Sequence, residues 1–238
     1  MNDRVIGIIG GMGPEATASL FMKIIKATRA EKDQDHFRII IDNNPKIPDR
    51  TAAILGKGTS PVPAIVEAGR NLEKMGAEIA LIPCNTSHYF LDEIQSRLKI
   101  PVMNMIAELA AYIGRAYPHV TKAGLLATTG TIKTGLYQKY MPGLQLICPD
   151  PASQENKVMK AIYGERGIKA GNTGEEPMRL LADAANELIT AGAEVVIAGC
   201  TEICLALKPE HISRPLLDPM DVMAQAVVER LSKKPSGV

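Results

Sequence analysis

Ile79-Ala80-Leu81-Ile82-Pro83-Cys84-Asn85-Thr86 reads as a short apolar strand that ends in a cysteine and runs straight into small hydrogen-bonding side chains. Far downstream, Val195-Val196-Ile197-Ala198-Gly199-Cys200-Thr201-Glu202 repeats the pattern. Gly76, which opens Gly76-Ala77-Glu78, stands eight residues before Cys84, and Gly192 of Gly192-Ala193-Glu194 stands eight before Cys200. Ile6-Gly7-Ile8-Ile9-Gly10-Gly11-Met12-Gly13 resembles Ala123-Gly124-Leu125-Leu126-Ala127-Thr128-Thr129-Gly130, and Pro101-Val102-Met103 pairs with Pro215-Leu216-Leu217. All the matched segments are offset by 114 to 117 residues and keep the same order. That points to a duplicated α/β unit, with the two thiols at equivalent positions.

Strands alternate with helical segments along the chain, which predicts parallel sheets assembled from strand–helix–strand units. Strand segments are expected at 4–10, 37–41, 79–83, 101–103, 123–127, 144–148, 195–199 and 216–217. Helices are expected at 14–30, 61–74, 86–98, 106–116, 132–140, 152–162, 176–190 and 222–231, with a polar loop over 43–60 and a glycine-rich loop over 163–171. By the duplication, the fold class is α/β with two pseudo-symmetric domains. Each would carry a four-stranded, mainly parallel sheet flanked by helices, with the active site in the cleft between them. The first domain is expected to comprise 1–103 plus a C-terminal helix at 219–238, and the second 104–218.

Composition narrows the function classes. Of 238 residues, 46% are apolar and 22% charged, and the net charge of +1 implies no polyanionic partner. No basic arm or aromatic-interleaved patch suggests nucleic acid, and Trp is absent. The first strand begins by Val5, leaving no room for a signal peptide, and no apolar run approaches about 18 residues, so a cytoplasmic chain without a membrane span is expected. Cysteines at 84, 148, 200 and 204 form no CxxC pair, so neither a disulfide framework nor a structural zinc site is expected. Cys148 and Cys204 read as core thiols.

Gly11-Met12-Gly13-Pro14-Glu15-Ala16 matches a dinucleotide-binding fingerprint, G-x-G-x-x-A after a strand. Asp42, however, lies 31 residues beyond Gly11, and Pro14 is unusual inside that motif, so a tight strand-to-helix turn lining the cleft is the better description. The cysteines carry more. A lone cysteine at a buried strand end is ordinarily a small core residue, but here both halves place one at the matching position. Ligand chemistry in open parallel sheets sits at the carboxyl ends of strands. A helix opening after each cysteine would offer free N–H groups, which favour a thiolate and bind carboxylates. Two facing thiols suit one reaction in particular: one removes a proton from a carbon beside a carboxylate, and the other returns one to the opposite face. With each sulfur about 3 to 3.5 Å from that carbon, the sulfurs would stand roughly 6 to 7 Å apart, beyond the ~2.05 Å of a disulfide.

Gly10-Gly11-Met12-Gly13-Pro14-Glu15-Ala16-Thr17, Ile47-Pro48-Asp49-Arg50-Thr51, Pro83-Cys84-Asn85-Thr86-Ser87-His88 and Gly199-Cys200-Thr201-Glu202 resemble the aspartate racemase branch of the Asp/Glu/hydantoin racemase superfamily. The resemblance spans nearly the whole chain. It implies a cofactor-independent amino-acid racemase, usually a homodimer, acting on aspartate, glutamate or a related acidic amino acid, with Cys84 and Cys200 as its two acid/base residues. It also implies that Asn85, Thr86 and Thr201 hold the substrate near its α-carbon, that Arg50 and Lys169 supply positive charge, and that Thr51 and Ser87 complete the substrate-binding set. Some relatives carry threonine in place of the first cysteine. This chain keeps both, which favours two-way racemisation.

Each supporting residue also has a plainer explanation. Arg50 and Lys169 would otherwise be solvated loop cations, and His88 a helix-packing histidine rather than a polariser of Cys84. Glu202 would complement a helix N-terminus instead of orienting a donor. Two further functions fit the same scaffold: a cis–trans isomerase or decarboxylase of a small diacid, against which retention of both thiols argues, and a non-catalytic protein that closes on a small acid.

Overall fold

The computed structural model describes residues 4–232. Residues 1–3 and 233–238, the outer ends of the first domain expected from sequence, lie outside the described residues. Seven strands are described: β1 (Val5–Gly10), β2 (Arg38–Asn43), β3 (Ile79–Leu81), β4 (Lys122–Ala127), β5 (Gln145–Ile147), β6 (Val195–Gly199) and β7 (Leu216–Leu217). They form two wholly parallel sheets, ordered β2-β1-β3 and β5-β4-β6-β7. Every residue of β1 and β6 is buried, because helices cover both faces of a parallel sheet.

The internal repeat is legible in the register. Gly7 pairs with Ala80 in the first sheet, and Gly124 with Val196 in the second. The Glu78 amide donates to the Val5 carbonyl at 2.9 Å, and the Glu194 amide to the Lys122 carbonyl at 3.0 Å. Gly76 and Gly192 follow the helices Val62–Lys74 and Glu175–Thr190 with φ of 90° and 103°, the left-handed conformation that ends a helix at least cost in glycine. A Cβ on Gly7 would meet Leu72 and Ala77 at 2.9 and 3.0 Å, and one on Gly124 would meet Leu188 and Ala193 at 3.0 and 3.3 Å. The same glycine therefore lets the same helix close on the same strand in both halves.

Side chains alternate along each strand, so each sheet feeds two cores. Ile9, Ile65, Leu72, Ile82 and Ile94 fill one face of the first sheet, and Ile6, Ile8, Leu20, Ile24 and Met103 the other. Met220, Met223, Val227 and Leu231 from the last helix, Pro219–Ser232, join the second of these clusters. In the second half, Leu126, Val196 and Ala198 pack with Leu181 and Leu188, while Leu125, Val195 and Ile197 pack with Ile106, Leu109 and Tyr137. Truncating a fully buried leucine such as Leu72 to alanine costs about 2 to 5 kcal/mol in settings of this kind.

The expected four-stranded first sheet is three strands plus one bridge, Ala80 to Val102. Pro101 has no N–H to donate, although its carbonyl accepts from the Ala80 amide at 2.9 Å. Two residues past Val102, Asn104 already caps the helix Met105–Ala116 by accepting from Ile106 and Ala107. Other expectations shift locally. The 43–60 loop contains a helix at Arg50–Ile54, capped by Asp49. The helix expected over 86–98 is a 3-10 turn, Thr86–Phe90, followed by a short α-helix, Leu91–Gln95. Gly135, at φ 61°, splits the one expected over 132–140, and 152–162 contains a π-helical stretch at Gln154–Met159. Among the described residues, no helix is long and apolar enough to cross a membrane.

Candidate active site

Chain direction places the carboxyl ends of the parallel strands, and hence both cysteines, at one gap between the halves. Cys200 follows β6 directly, while Ile82-Pro83 carries the chain from β3 to Cys84. Both thiols are unpaired, with relative exposures of 5% for Cys84 and 6% for Cys200. They line one small cavity together with Met12, Arg50, Asn85 and Thr86 from the first half, and Thr128, Tyr163, Lys169, Thr201 and Glu202 from the second.

On the second-half side, Glu202 is the hub. Its Oε2 accepts from the Cys200 thiol at 3.0 Å and lies 3.1 Å from the Thr201 hydroxyl, and its Oε1 accepts from Lys169 Nζ at 2.5 Å. Burial opposes the charge of Glu202, but the Lys169 ammonium and the bonds it receives outweigh burial and hold its pKa below the usual glutamate value. Burial likewise opposes the charge on Lys169, and Glu202 above all keeps it protonated. Cys200 responds in the opposite sense. Burial, then the negative charge of Glu202, pushes its thiol well above the ordinary cysteine value, and Lys169 only partly offsets them.

Arg50 stands in the first turn of its short helix and turns inward, with 8% relative exposure. Its Nη1 donates to the carbonyls of Ile47 at 3.3 Å and Pro48 at 3.0 Å, and its Nη2 to that of Met12 at 3.3 Å. A guanidinium carries five N–H groups. Two therefore remain, on Nε and Nη2, and Nε is buried without a partner. A guanidinium with N–H groups to spare is a donor suited to a carboxylate. Burial works against its charge, but Cys84 and then Asp49 outweigh it and raise the Arg50 pKa.

Asn85 shows the same one-sided satisfaction. Tyr137 donates its hydroxyl to Asn85 Oδ1 at 2.6 Å, while the buried Asn85 Nδ2 has no partner. Thr86 belongs to a cluster that joins the halves: its hydroxyl lies 3.2 Å from that of Thr128 and 2.9 Å from that of Thr131. A Cβ on Gly130 would approach Thr51 Oγ1 to 2.9 Å, so glycine there lets the halves meet closely.

Two residues of the expected set sit behind the cavity wall. Thr51 uses its hydroxyl on Thr128 at 3.3 Å, and Ser87, fully buried, donates to Met12 Sδ at 3.3 Å. Both brace residues that do line the cavity. His88 is also a brace: its Nε2 accepts from the Met105 amide at 3.1 Å, so Nδ1 carries the proton that bonds the Cys84 carbonyl at 2.9 Å. Its burial depresses its pKa.

The thiolate-favouring helix N-termini are much weaker than expected. The segment after Cys84 is a five-residue 3-10 turn, and the helix after Cys200 spans only Ile203–Ala206. So few aligned peptides contribute little field, and side-chain charges set the electrostatics instead. Residues that sequence analysis passed over are Thr128, Tyr163 and Tyr137. The repeat offset aligns Thr128 with Gly11 at the end of the first strand, so it was findable. Tyr163 lies in the glycine-rich segment, where its hydroxyl donates to Asp49 Oδ2 at 3.1 Å and its ring lies 5.5 Å from Lys169 Nζ.

The inner cavity has only about 10 Å³ of free volume, enough for one water. It shares Met12, Arg50, Lys169 and Glu202 with an outer cavity of about 360 Å³, which the Gly11–Ala16 turn lines.

The model of the family described as Asp/Glu/Hydantoin racemase matches residues 9–227. The broad specificity amino-acid racemase RacX of Bacillus subtilis is 30% identical over 234 residues, covering 94% of this chain and 96% of that protein. Among solved structures, the Picrophilus torridus aspartate racemase superposes with a TM-score of 0.81 at 26% identity, over 97% of this chain and 95% of that one. An aspartate racemase homologue from Pyrococcus horikoshii OT3 gives 0.73 at 25% identity, over 98% and 100%.

Proposed function

The chain belongs to the Asp/Glu/hydantoin racemase family and is an amino-acid racemase, hence an isomerase; from that premise we propose that it interconverts the enantiomers of an acidic amino acid, aspartate foremost, by proton transfer between Cys84, Cys200 and the substrate α-carbon. One observation carries this: each half of the repeat contributes one thiol to the same cavity. One sulfur takes the α-proton, the electron pair of the broken C–H bond delocalises into the substrate carboxylate, and the opposite thiol protonates the planar carbon from its other face. The reverse reaction exchanges the two roles.

The remaining groups suit the charge that builds up. The unpartnered Arg50 Nε and Asn85 Nδ2 are donors for a carboxylate whose negative charge grows as the proton leaves. The Thr86 and Thr201 hydroxyls flank the same carbon. Lys169 provides a second cation for a second carboxylate, which favours acidic substrates. With room for only one water inside, entry requires the 163–171 segment or the two halves to part, and closure then excludes water from the proton transfer. The same proposal takes the enzyme to be a cytoplasmic homodimer that needs neither pyridoxal phosphate nor metal.

The test is a chiral assay over a panel of amino acids, using protein dialysed against a chelator, with Cys84→Ser and Cys200→Ser alongside. General acid–base groups contribute about a hundred- to ten-thousand-fold, so each variant is expected to lose at least that much racemisation. Near-normal turnover in either would overturn the two-thiol assignment. A preference for neutral over acidic amino acids would overturn the role given to Lys169.

A further inference from the structure

The two cysteines are equivalent in the repeat but not in their surroundings. Glu202 has no counterpart beside Cys84, where the matching position, two residues on, is Thr86. Its carboxylate grips the Cys200 thiol with Oε2 and the Lys169 ammonium with Oε1.

We propose, building on the two-thiol assignment, that Glu202 is a positioning residue that keeps the exchangeable proton on Cys200 in the resting enzyme, so that the direction with Cys84 as base and Cys200 as acid starts from the predominant form and the reverse direction from the minor one. The geometry supports this directly. A thiol can donate to a carboxylate, whereas a thiolate at 3.0 Å from the same oxygen would place two negative charges in contact inside a closed cavity. The charged and titratable groups facing this sulfur are Glu202 from its own turn, Lys169 and Tyr163 from the glycine-rich segment, Tyr137 from the helix Leu136–Tyr140, and Cys84 and Arg50 across the cavity. The Lys169 ammonium is paired with the Glu202 carboxylate through Oε1 at 2.5 Å, so it offsets the effect of that carboxylate on Cys200 only in part. On the other side, Arg50 acts on Cys84 directly; Asp49 also bears on that guanidinium, but the first-half residues that line the cavity include no carboxylate.

A feature of the site makes the proposal measurable. The two cysteine residues line the same cavity and are almost equally buried, at 5% and 6% relative exposure, so the comparison of their alkylation rates is weighted toward thiolate content. Initial rates of iodoacetamide labelling at neutral pH, read separately on the Cys84 and Cys200 peptides by mass spectrometry, are expected to favour Cys84 by tenfold or more in the unaltered protein. Equal rates, or a preference for Cys200, would overturn the proposal without any variant. Glu202→Gln keeps the shape but removes the charge, and is expected to narrow the ratio at least fivefold. It should also move the Cys200 titration down by one pH unit or more, read as the difference in thiolate absorbance between C84S and C84S/C200S backgrounds. Glu202→Asp should restore the ratio in favour of Cys84, which a merely structural role for the side chain does not require. An unmoved Cys200 midpoint in E202Q, with C84S and C200S both inactive, sinks this proposal and leaves the two-thiol assignment standing. Activity in C84S or C200S sinks that assignment instead.

Discussion

The Thr201 hydroxyl lies 3.4 Å from the Pro83 carbonyl, so the residue after one cysteine touches the residue before the other. The same oxygen lies 3.1 Å from Glu202 Oε2 and has one proton to give. A change in the charge of Glu202 or in the gap between the halves therefore registers at this hydroxyl.

Replacing Thr201 by valine preserves shape and removes that link. A lost neutral hydrogen bond costs about 0.5 to 1.5 kcal/mol, so denaturant unfolding should show a loss of that order with the fold retained. Turnover is expected to fall by tenfold or more, because the two strand ends lose their shared contact. Wild-type kcat with the stability loss present would show that the hydroxyl matters to the fold alone.

Tyr137→Phe tests how Asn85 is aimed. Tyr137 is fully buried, and its hydroxyl is the group that fixes Asn85 Oδ1. Without it, a buried amide oxygen loses its partner, at about 1 to 3 kcal/mol, and the amide is free to flip. The expected signature is a lower unfolding free energy together with a KM raised by about tenfold, on the order of one hydrogen bond. An unchanged KM would mean that Asn85 Nδ2 does not meet the substrate.

Arg50→Lys separates charge from geometry. Three N–H groups of Arg50 already serve the carbonyls of Ile47, Pro48 and Met12. A lysine ammonium has three protons in all, so meeting those demands leaves nothing for a carboxylate. Losing a charge-assisted pair costs about 1.5 to 3 kcal/mol, or roughly a ten- to hundredfold drop in kcat/KM carried mainly by KM. A lysine variant with native kcat/KM would show that Arg50 supplies charge without a fork.

Much of this site was legible because the chain states it twice. Cys84 and Cys200 stand out from Cys148 and Cys204 only through the shared Gly-Ala-Glu lead and apolar strand. The same repeat predicted two parallel sheets, one in each half, without their strand order. It could not foresee that Pro101 and the Asn104 cap would leave Val102 alone in its ladder, since one backbone donor decides that. Ser87 and Thr51 have the right chemistry in the right motifs, yet they turn away from the cavity, because side-chain direction on a short turn depends on tertiary packing. Tyr163 sits in a segment with no period to read, and only its contacts with Asp49 and Lys169 bring it into the site.

His88 gives a pH dependence of stability whose sign follows from a single buried group. Its ring is neutral, held between the Met105 amide and the Cys84 carbonyl, and burial lowers its folded pKa below the ordinary histidine value of about 6.5. In the unfolded chain the ring takes up a proton near that value, while in the folded chain it resists. The stabilisation is therefore complete above about pH 6.5 and drains away as pH falls from there toward the depressed folded pKa, at up to about 1.4 kcal/mol per pH unit. His88→Gln keeps hydrogen-bonding capacity but cannot titrate. Urea unfolding at a series of pH values between 7.5 and 5 should show the wild type losing stability faster than the variant, and the gap between the curves should narrow as pH falls. Parallel curves would mean that His88 keeps an ordinary pKa, and that the ring does not hold the carbonyl of Cys84 in its neutral form.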